Sequence, residues 1–272
     1  KNAKDKDASK PAASADPLEA ARQVAPAASG PTGRGAGPDG AALATPAGPS
    51  AAPPSPAGSP AGSAAPTPGT PPTAVDCRKT KCVALTFDDG PGPYTGRLLS
   101  DLKAANAKAT FFVLGKQAQG NPGMIRRLHE AGMVVGSHGW DHKAFSKLTA
   151  AQQRAQLDRT ARAIQDAGAP RPTLFRPPYG AANSATKKLG VPLILWNVDT
   201  LDRKSRNSAK ATTAALKQSR RGSIILMHDI HPTSVAAVPG LIRLLRARGY
   251  TLVTVPELLG PTKPGGRYFG RH

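Results

Sequence analysis

The sequence has little of three things: cysteine, aromatic residues and continuous hydrophobic sequence. Only 2 of its 272 residues are cysteine, and aromatic side chains make up 4% of it. Because no 18 consecutive residues are apolar, we expect no transmembrane segment in this chain. The basic residues are not interleaved with aromatic ones and match no nucleic-acid-binding motif, which argues against nucleic acid as the partner.

The two cysteines are Cys77 and Cys82, with four residues between them. A metal-binding pair is more often spaced Cys-x-x-Cys, so this spacing argues against a metal site. A small disulfide loop is expected, with two free thiols as the alternative. A disulfide favours an exported protein.

Acidic residues are scarce relative to basic ones, with 17 against 37 and a net charge of +20. The imbalance lies entirely in the second part of the chain. Residues 1–76 carry six basic and six acidic residues, whereas residues 77–272 carry 31 and 11. This charge favours anionic polymers or surfaces as partners, and an acidic cell envelope is the candidate we favour.

Residues 1–75 lack aromatic residues and nearly all large aliphatic ones, and they are rich in Ala, Pro, Gly and Ser. Such a segment cannot bury enough apolar surface to offset its chain entropy, so we expect a disordered tether. Residues 76–260 are long enough for one core and are predicted to form one domain. Residues 261–272 are expected to be a loose basic tail. The chain begins at Lys1, and we expect any export signal or anchor to lie upstream.

Apolar and amphipathic segments alternate about seven times after residue 82. The first strand is predicted to run from Val83 to the Asp88–Asp89 pair. Further strands are predicted at residues 109–114, 133–136, 173–175, 192–198, 223–227 and 251–255. Helices are predicted at residues 95–106, 122–132, 149–168, 208–222 and 238–248, with caps at Asn121, Thr149 and either Asn207 or Ser208. This alternation predicts an α/β fold with parallel strands, nearer a (β/α) barrel than a small open sheet.

Polar residues that carry chemistry follow the predicted strands. They are Asp88, Asp89, His138, Arg176, Asp199 and His228. In (β/α) barrels the catalytic groups collect at the carboxyl ends of the strands. We therefore expect these six residues to share one site.

The aspartate pair and a histidine pair suggest a metal site. Neighbours on an extended chain point in opposite directions, so one aspartate can bind a metal while the other acts as a base. The alternative is an Asp-Asp-Gly turn with solvated carboxylates. His138 and His142 are four residues apart and can converge on one ion, although such a pair can also be a surface coincidence. Two imidazoles and one carboxylate leave coordination positions open, as hydrolytic metal sites require.

Five motifs occur in a fixed order: Thr-Phe-Asp-Asp-Gly at 86–90, His-x-x-x-His at 138–142, Arg-Pro-Pro-Tyr at 176–179, Asp-x-x-Asp at 199–202 and Leu-Met-His at 226–228. With these motifs, residues 82–256 resemble the polysaccharide deacetylase family (NodB homology domain, carbohydrate esterase family 4). The resemblance implies a distorted (β/α) barrel of seven to eight strands. It also implies metal-dependent removal of acetyl groups from N-acetylated glycans, and in some members from O-acetylated xylan.

The resemblance implies a role for each site residue. Three are expected to bind the metal: Asp89, His138 and His142. Zn²⁺ is the expected ion, with Co²⁺, Ni²⁺ or Mn²⁺ as alternatives. Asp88 is expected to be the general base that takes a proton from water on the metal. Arg176 is expected to hold Asp88 in place and ionised.

Four further roles follow from the same resemblance. The Tyr179 backbone N–H is expected to stabilise the tetrahedral oxyanion. His228 is the expected general acid, and Asp199 is expected to orient it and keep it protonated. Leu226 is expected to line the pocket for the acetyl methyl group. Asp202 is expected to be structural, or to contact a site residue without taking part in the reaction itself.

The chain departs from the family pattern at Gly139, where Ser or Thr is frequent, and at Arg203, where Trp is frequent. The change at Arg203 is expected to alter one wall of the substrate groove. The expected protein is a monomeric, exported enzyme that deacetylates polymers of N-acetylglucosamine, of the peptidoglycan or chitin type. The alternatives are an O-acetyl esterase acting on acetylated xylan and an inactive glycan-binding module.

Overall fold

The computed structural model describes residues 75–271. The tether expected over residues 1–75 lies, apart from its last residue, outside the described part. Within that part, no helix is both long enough and apolar enough to span a lipid bilayer.

The strands of the described part are short apart from two central ones. They are β1 (Cys82–Asp88), β2 (Thr110–Val113), β3 (Val134–Ser137), β4 (Leu193–Ile194), β5 (Val198–Asp199), β6 (Ser223–His228), β7 (Thr251–Leu252) and β8 (Arg267–Tyr268). The main sheet has the order β3-β2-β1-β6-β5, with β7 also paired to β1, and β4 pairs with β8. All of these strand pairs are parallel. Phe175 continues the sheet by bridging Ser137 and Leu193, which gives the distorted barrel that the resemblance implied.

Helices cover the outside of the strands, as crossovers between parallel strands require. They are α1 (Thr95–Ala104), α2 (Gly115–Gly120), α3 (Pro122–Glu130), α4 (Ala150–Asp166), α5 (Ser184–Lys187), α6 (Asp202–Ser205), α7 (Ser208–Gln218), α8 (Pro232–Ala247) and α9 (Val255–Leu259). The predicted caps are present. Asn121 caps α3, Thr149 and Gln152 form a capping box on α4, and Asn207 rather than Ser208 caps α7.

The core lies between β1 and β6 and the helices packed on them. All seven residues of β1 and all six of β6 are buried, which explains their nearly continuous apolar sequence. Leu98 of α1 and Leu241 of α8 belong to the same cluster as Phe87 and Ile225. Because both central strands are fixed by packing on two sides, the residues at their ends are held in place as well.

Five sequence predictions about elements were wrong. The strand expected at 251–255 ends at Leu252, and Val255 already begins α9. The helix expected at 238–248 begins earlier, at Pro232. The strand expected at 173–175 is reduced to single bridges at Phe175. The strand expected at 192–198 is split into β4 and β5. Residues 261–272 are not a loose tail, because β8 lies within them and the Leu195 N–H donates to the Tyr268 carbonyl at 2.7 Å. The exposed edge of β4 needs partners for its backbone groups, and the C-terminal segment supplies them.

The disulfide expected between Cys77 and Cys82 is present, with a Cα–Cα distance of 5.5 Å. It closes the segment that leads into β1. The alternative of two free thiols is therefore excluded, since no free cysteine occurs in residues 75–271.

Candidate active site

The site lies at the carboxyl ends of β1, β3 and β6. Asp88 and His228 are register partners on the paired strands β1 and β6. His138 directly follows β3, and its backbone N–H donates to the Val113 carbonyl at the end of β2, at 2.9 Å. The sequence prediction that the polar strand ends converge is thus met for these residues.

The two neighbouring aspartates do not point to opposite sides, as an extended chain would place them. Asp89 has a φ of 74° and is followed by a cis peptide bond between Gly90 and Pro91. This left-handed residue turns its carboxylate back toward the histidines. Asp88 Oδ2 lies 3.7 Å and Asp89 Oδ1 lies 3.5 Å from Nε2 of His138.

Asp89, His138 and His142 offer one ligand atom each, and these three atoms lie within 4.8 Å of one another. The Asp89 Oδ1–His142 Nε2 distance is 3.4 Å. Oδ1 of Asp89 is buried and has no hydrogen-bond partner among the described residues. A buried carboxylate oxygen facing two imidazole nitrogens fits a divalent cation, because a cation would satisfy all three lone pairs.

The hydrogen bonds of the histidines and the protonation of His138 also suit a metal. Nδ1 of His138 lies 2.7 Å from the Arg176 carbonyl, which only accepts, so this nitrogen carries the proton and Nε2 keeps its lone pair. Burial lowers the pKa of His138 to about 3, which keeps the imidazole neutral. Nδ1 of His142 lies 3.1 Å from the Tyr179 hydroxyl.

Asp88 is anchored by a fully buried arginine. Nη1 of Arg176 donates to Asp88 Oδ1 at 2.7 Å and to Thr86 Oγ1 at 2.8 Å. Its Nε and Nη2 donate to the carbonyls of Ile194 and Leu195, both at 3.1 Å. Burial raises the pKa of Asp88, and the Arg176 guanidinium opposes that rise. Arg176 therefore fixes the Asp88 carboxylate in one position, with its other oxygen left toward His138.

The prediction that Asp199 orients His228 was wrong. Asp202 Oδ1 lies 2.9 Å from His228 Nδ1, and Asp202 Oδ2 accepts the His228 backbone N–H at 2.8 Å. Asp199 instead pairs with the Arg203 guanidinium at 2.8 and 3.0 Å. The reason is position, because Asp199 is level with Leu226, two residues short of His228. The turn into α6 at Leu201, with a φ of 53°, then carries Asp202 beside the histidine.

The surroundings of Asp202 and His228 determine the charge of each side chain. Burial acts to raise the pKa of Asp202, but hydrogen bonds from His228 and Ser234 outweigh it and hold that pKa at about 2. Burial acts to lower the pKa of His228, but the ionised Asp202 outweighs it and raises that pKa above its usual value. His228 is therefore held as an imidazolium over a wider pH range than a free histidine.

The other two predicted residues lie close by. Tyr179 has a φ of 60°, and its side chain is 60% exposed. Leu226 is buried and precedes His228 by two residues on β6, so both side chains lie on the same face of the sheet. The roles expected for the Tyr179 N–H and for Leu226 stay predictions.

Sequence reasoning assigned no role to Asp229, the residue after His228. Its carboxyl group is fully buried and accepts a hydrogen bond from Thr95 Oγ1 at 2.5 Å. Burial raises its pKa to about 7. A Cβ at Gly90 would collide with this carboxyl group, which explains the glycine after the aspartate pair. Asp229 thus supports the turn that positions Asp89.

The chain is similar to several known proteins. A match to the family described as "Polysaccharide deacetylase" covers residues 76–193. The peptidoglycan-N-acetylglucosamine deacetylase PgdA of Listeria monocytogenes is 41% identical over 203 residues, 74% of this chain and 44% of that protein. The bifunctional xylanase/xylan deacetylase of Cellvibrio japonicus is 38% identical over 173 residues, 61% of this chain and 26% of that protein.

This chain therefore spans less than half the length of these two curated relatives. A solved structure described as a T48 deacetylase with substrate is 49% identical, with a TM-score of 0.70. That similarity covers 72% of this chain and 100% of the solved one. Sequence identity at this level over a whole solved chain shows that the protein belongs to the polysaccharide deacetylase family.

Proposed function

We propose that this chain is a metal-dependent hydrolase that removes acetyl groups from polymers of N-acetylglucosamine, of the peptidoglycan or chitin type. One observation carries the proposal: Asp89, His138 and His142 converge beside two further groups, Asp88 anchored by Arg176 and His228 paired with Asp202. Amide hydrolysis needs an activated nucleophile, charge stabilisation and a protonated leaving nitrogen. The site offers one group for each need.

Asp89, His138 and His142 would hold the cation, which supplies a Lewis acid that acidifies water and polarises a carbonyl. One carboxylate and two imidazoles suit Zn²⁺, and we propose zinc, with Co²⁺, Ni²⁺ and Mn²⁺ as alternatives. The protein prepares the ligands in advance. The Arg176 carbonyl fixes the His138 tautomer, and the Tyr179 hydroxyl contacts the outer nitrogen of His142.

Asp88 is the proposed general base, and it accepts the proton of the attacking water. Its Oδ1 is held by Arg176 at 2.7 Å, which leaves Oδ2 to receive the proton. The guanidinium has no freedom to move away, because four hydrogen bonds fix it in the core. Arg176 is thus a positioning residue that acts through Asp88.

His228 is the proposed general acid, and it protonates the nitrogen that leaves. Because the Asp202 carboxylate occupies the Nδ1 side, the proton available for transfer is on Nε2. Asp202 replaces Asp199 in the role of orienting this histidine. We propose in addition that the Tyr179 backbone N–H stabilises the oxyanion and that Leu226 contacts the acetyl methyl group.

Acetate release from defined glycans tests the proposal. The protein is stripped of metal with a chelator, divided, and one half is reloaded with Zn²⁺ before assay on chitooligosaccharides and peptidoglycan. We expect acetate from the reloaded half alone. If neither half releases acetate from any acetylated glycan while binding to them persists, the chain is an inactive glycan-binding module.

An O-acetyl esterase acting on xylan is the second candidate. One observation favours it, namely the xylan deacetylase named among the relatives. The same reloaded protein assayed on acetylated xylan separates the two functions. A higher kcat/KM on xylan than on N-acetylglucosamine polymers would favour the esterase.

We further propose that the protein works outside the cell, at or near the envelope, as a monomer. The disulfide between Cys77 and Cys82 supports an oxidising compartment. The charge of +20 supports association with an anionic envelope. Sedimentation of the purified chain and cell fractionation test these two points.

A further inference from the structure

A second cleft lies at the end of the sheet opposite to the candidate active site. Its volume is 480 Å³, and it is lined by Cys77, Arg78, Arg220, Arg221, Gly222 and Arg271. Gly222 directly precedes β6, and the Cys77–Cys82 disulfide leads into β1. The active-site residues Asp88 and His228 end those same strands. We call this feature the arginine cleft.

The positive charge of the arginine cleft is only partly compensated within the described part of the chain, by the single carboxylate of Asp76, which also interacts electrostatically with Arg271. Arg78 pairs with Asp76 at 3.0 Å. The guanidiniums of Arg220, Arg221 and Arg271 form no ion pair with any carboxylate of residues 75–271. Three cationic groups around one concave surface concentrate a positive potential there, because the low-dielectric walls focus the field.

Two of these guanidiniums are held in place. Arg221 donates to the backbone carbonyls of Cys77 and Arg78, and Arg271 Nη1 donates to the Leu258 carbonyl at 3.0 Å. A carbonyl orients a guanidinium without neutralising its charge. The disulfide and the pairing of Ser223 with Gly270 fix the backbone on both sides. The positive charges are therefore ordered before a ligand arrives, which reduces the entropic cost of binding.

The donors indicate the chemistry of the ligand. Guanidinium groups bind phosphate with paired, charge-assisted hydrogen bonds, and several in one cleft suit a ligand with repeated phosphates. No aromatic residue lines the cleft, so it lacks the surface on which single-stranded nucleic acids stack their bases. We propose that the arginine cleft binds a phosphodiester polymer built on an aliphatic polyol.

The position of the cleft permits binding and catalysis at once. Six to seven strand residues separate the cleft from the active site, a distance of about 20 Å along the strands at their usual rise. A polymer in the cleft would leave the active site open to a separate glycan strand. The cleft would thus hold the enzyme on a matrix that carries phosphodiester chains among its glycans.

Equilibrium binding of a poly(glycerol phosphate) chain to the full-length protein tests this proposal. The double variant Arg220→Gln/Arg221→Gln should weaken binding by about tenfold or more, as loss of charge-assisted hydrogen bonds predicts. The matched control is Arg127→Gln/Arg243→Gln, which removes the same charge from two exposed helix positions. The control should weaken binding by about threefold at most, through long-range charge alone.

A second variant separates loss of the site from misfolding, which the double variant could cause because Arg221 also donates to backbone carbonyls. Arg220→Glu changes a side chain with no hydrogen bond or ion pair in the described part, and it should weaken binding with an unchanged melting temperature. Both cleft variants should keep the wild-type rate of any acetate release from a soluble oligosaccharide. Because that rate is measured separately, the binding result can still be interpreted if the protein releases no acetate.

Three results would overturn the proposal. Equal losses in the cleft and control variants would show that net charge, and not this cleft, attracts the polymer. Equal affinity for a single-stranded DNA oligomer of matched charge would point to nucleic acid instead. Failure of the full-length protein to bind the polymer even at low salt would exclude the site altogether.

Discussion

The carboxylate of Asp202 binds His228 twice, through the backbone N–H at 2.8 Å and through Nδ1 at 2.9 Å. Ser234 Oγ donates to the same carboxylate at 2.6 Å. The imidazole is therefore fixed in orientation, tautomer and charge by one buried residue. Asp199, which is three residues earlier, makes none of these contacts. Two substitutions that differ only in position can separate these aspartates by experiment.

Asp202→Asn should lower kcat by about 100-fold, the usual order for loss of acid catalysis. Asparagine keeps the shape of the side chain but removes the charge that holds the proton on His228. The matched control Asp199→Asn removes the ion pair with Arg203, while the amide oxygen of asparagine can still accept the Leu201 N–H as Asp199 does at 2.9 Å. It should change kcat by about threefold at most. Steady-state kinetics on one soluble substrate compares the two. Equal losses in both variants would contradict the assignment of Asp202.

The pH dependence of kcat distinguishes an effect of Asp202 on the His228 proton from a merely structural role. The pKa of His228 is raised by Asp202, so its acid form persists above the usual histidine range and is lost as pH rises through the raised value. In Asp202→Asn, burial still lowers the pKa of His228, but the Asp202 carboxylate that raises this pKa is gone. The alkaline limb of the kcat profile should therefore move to lower pH. An unmoved limb would mean that another group donates the proton.

Asp88→Asn should retain the metal and lose turnover by about 100-fold or more, as expected for a missing general base. The three proposed ligands do not include Asp88, and asparagine can still accept a hydrogen bond from Arg176. Elemental analysis of the purified variant checks metal content, and acetate release checks turnover. Near-normal turnover would remove Asp88 from the mechanism.

His138→Ala should lose metal affinity and activity together, because it removes one of three ligands and the contact to the Arg176 carbonyl. The matched control is His129→Ala, since His129 is exposed on α3 and distant from the ligand set. Zn²⁺ titration of both apo proteins measures the difference. Equal metal content in the two variants would refute the proposed ligand set.

Removal of the disulfide in Cys77→Ser/Cys82→Ser should lower the free energy of unfolding by about 2 kcal/mol, the entropy expected for so short a loop. Urea denaturation measures this change. Activity on a soluble oligosaccharide should be unaffected, because the disulfide is at the opposite end of β1 from Asp88. A loss of activity in the folded variant would show that the two ends of the strand are coupled.

Local signals in the sequence were sufficient for most elements. The caps at Asn121 and Thr149 were predicted because each side chain satisfies backbone groups within three residues of it. The predictions failed where a distant partner decides the structure. The strand expected at 192–198 breaks into β4 and β5, and β4 takes its partner from β8, more than 70 residues later in the chain.

The site residues also divide into those that local motifs predicted and those that depend on distant contacts. Asp89, His138 and His142 were predicted because the motifs of a known family carry them. The two aspartates of the Asp-x-x-Asp segment were ranked in the wrong order, because both belong to one motif and nothing local distinguishes them. Their difference arises from the register of β5 on β6 and from the left-handed turn at Leu201.

The sequence by itself therefore determined the types of residue at the site, the strands that present them and the basic charge of the domain. Tertiary structure alone decided three further points. It turned Asp89 back toward the histidines, it placed Asp202 rather than Asp199 on His228, and it gathered four arginines from three separate segments into one cleft. The physical reason is range, since propensities and caps act over a few residues, whereas these contacts depend on how distant strands pair and pack.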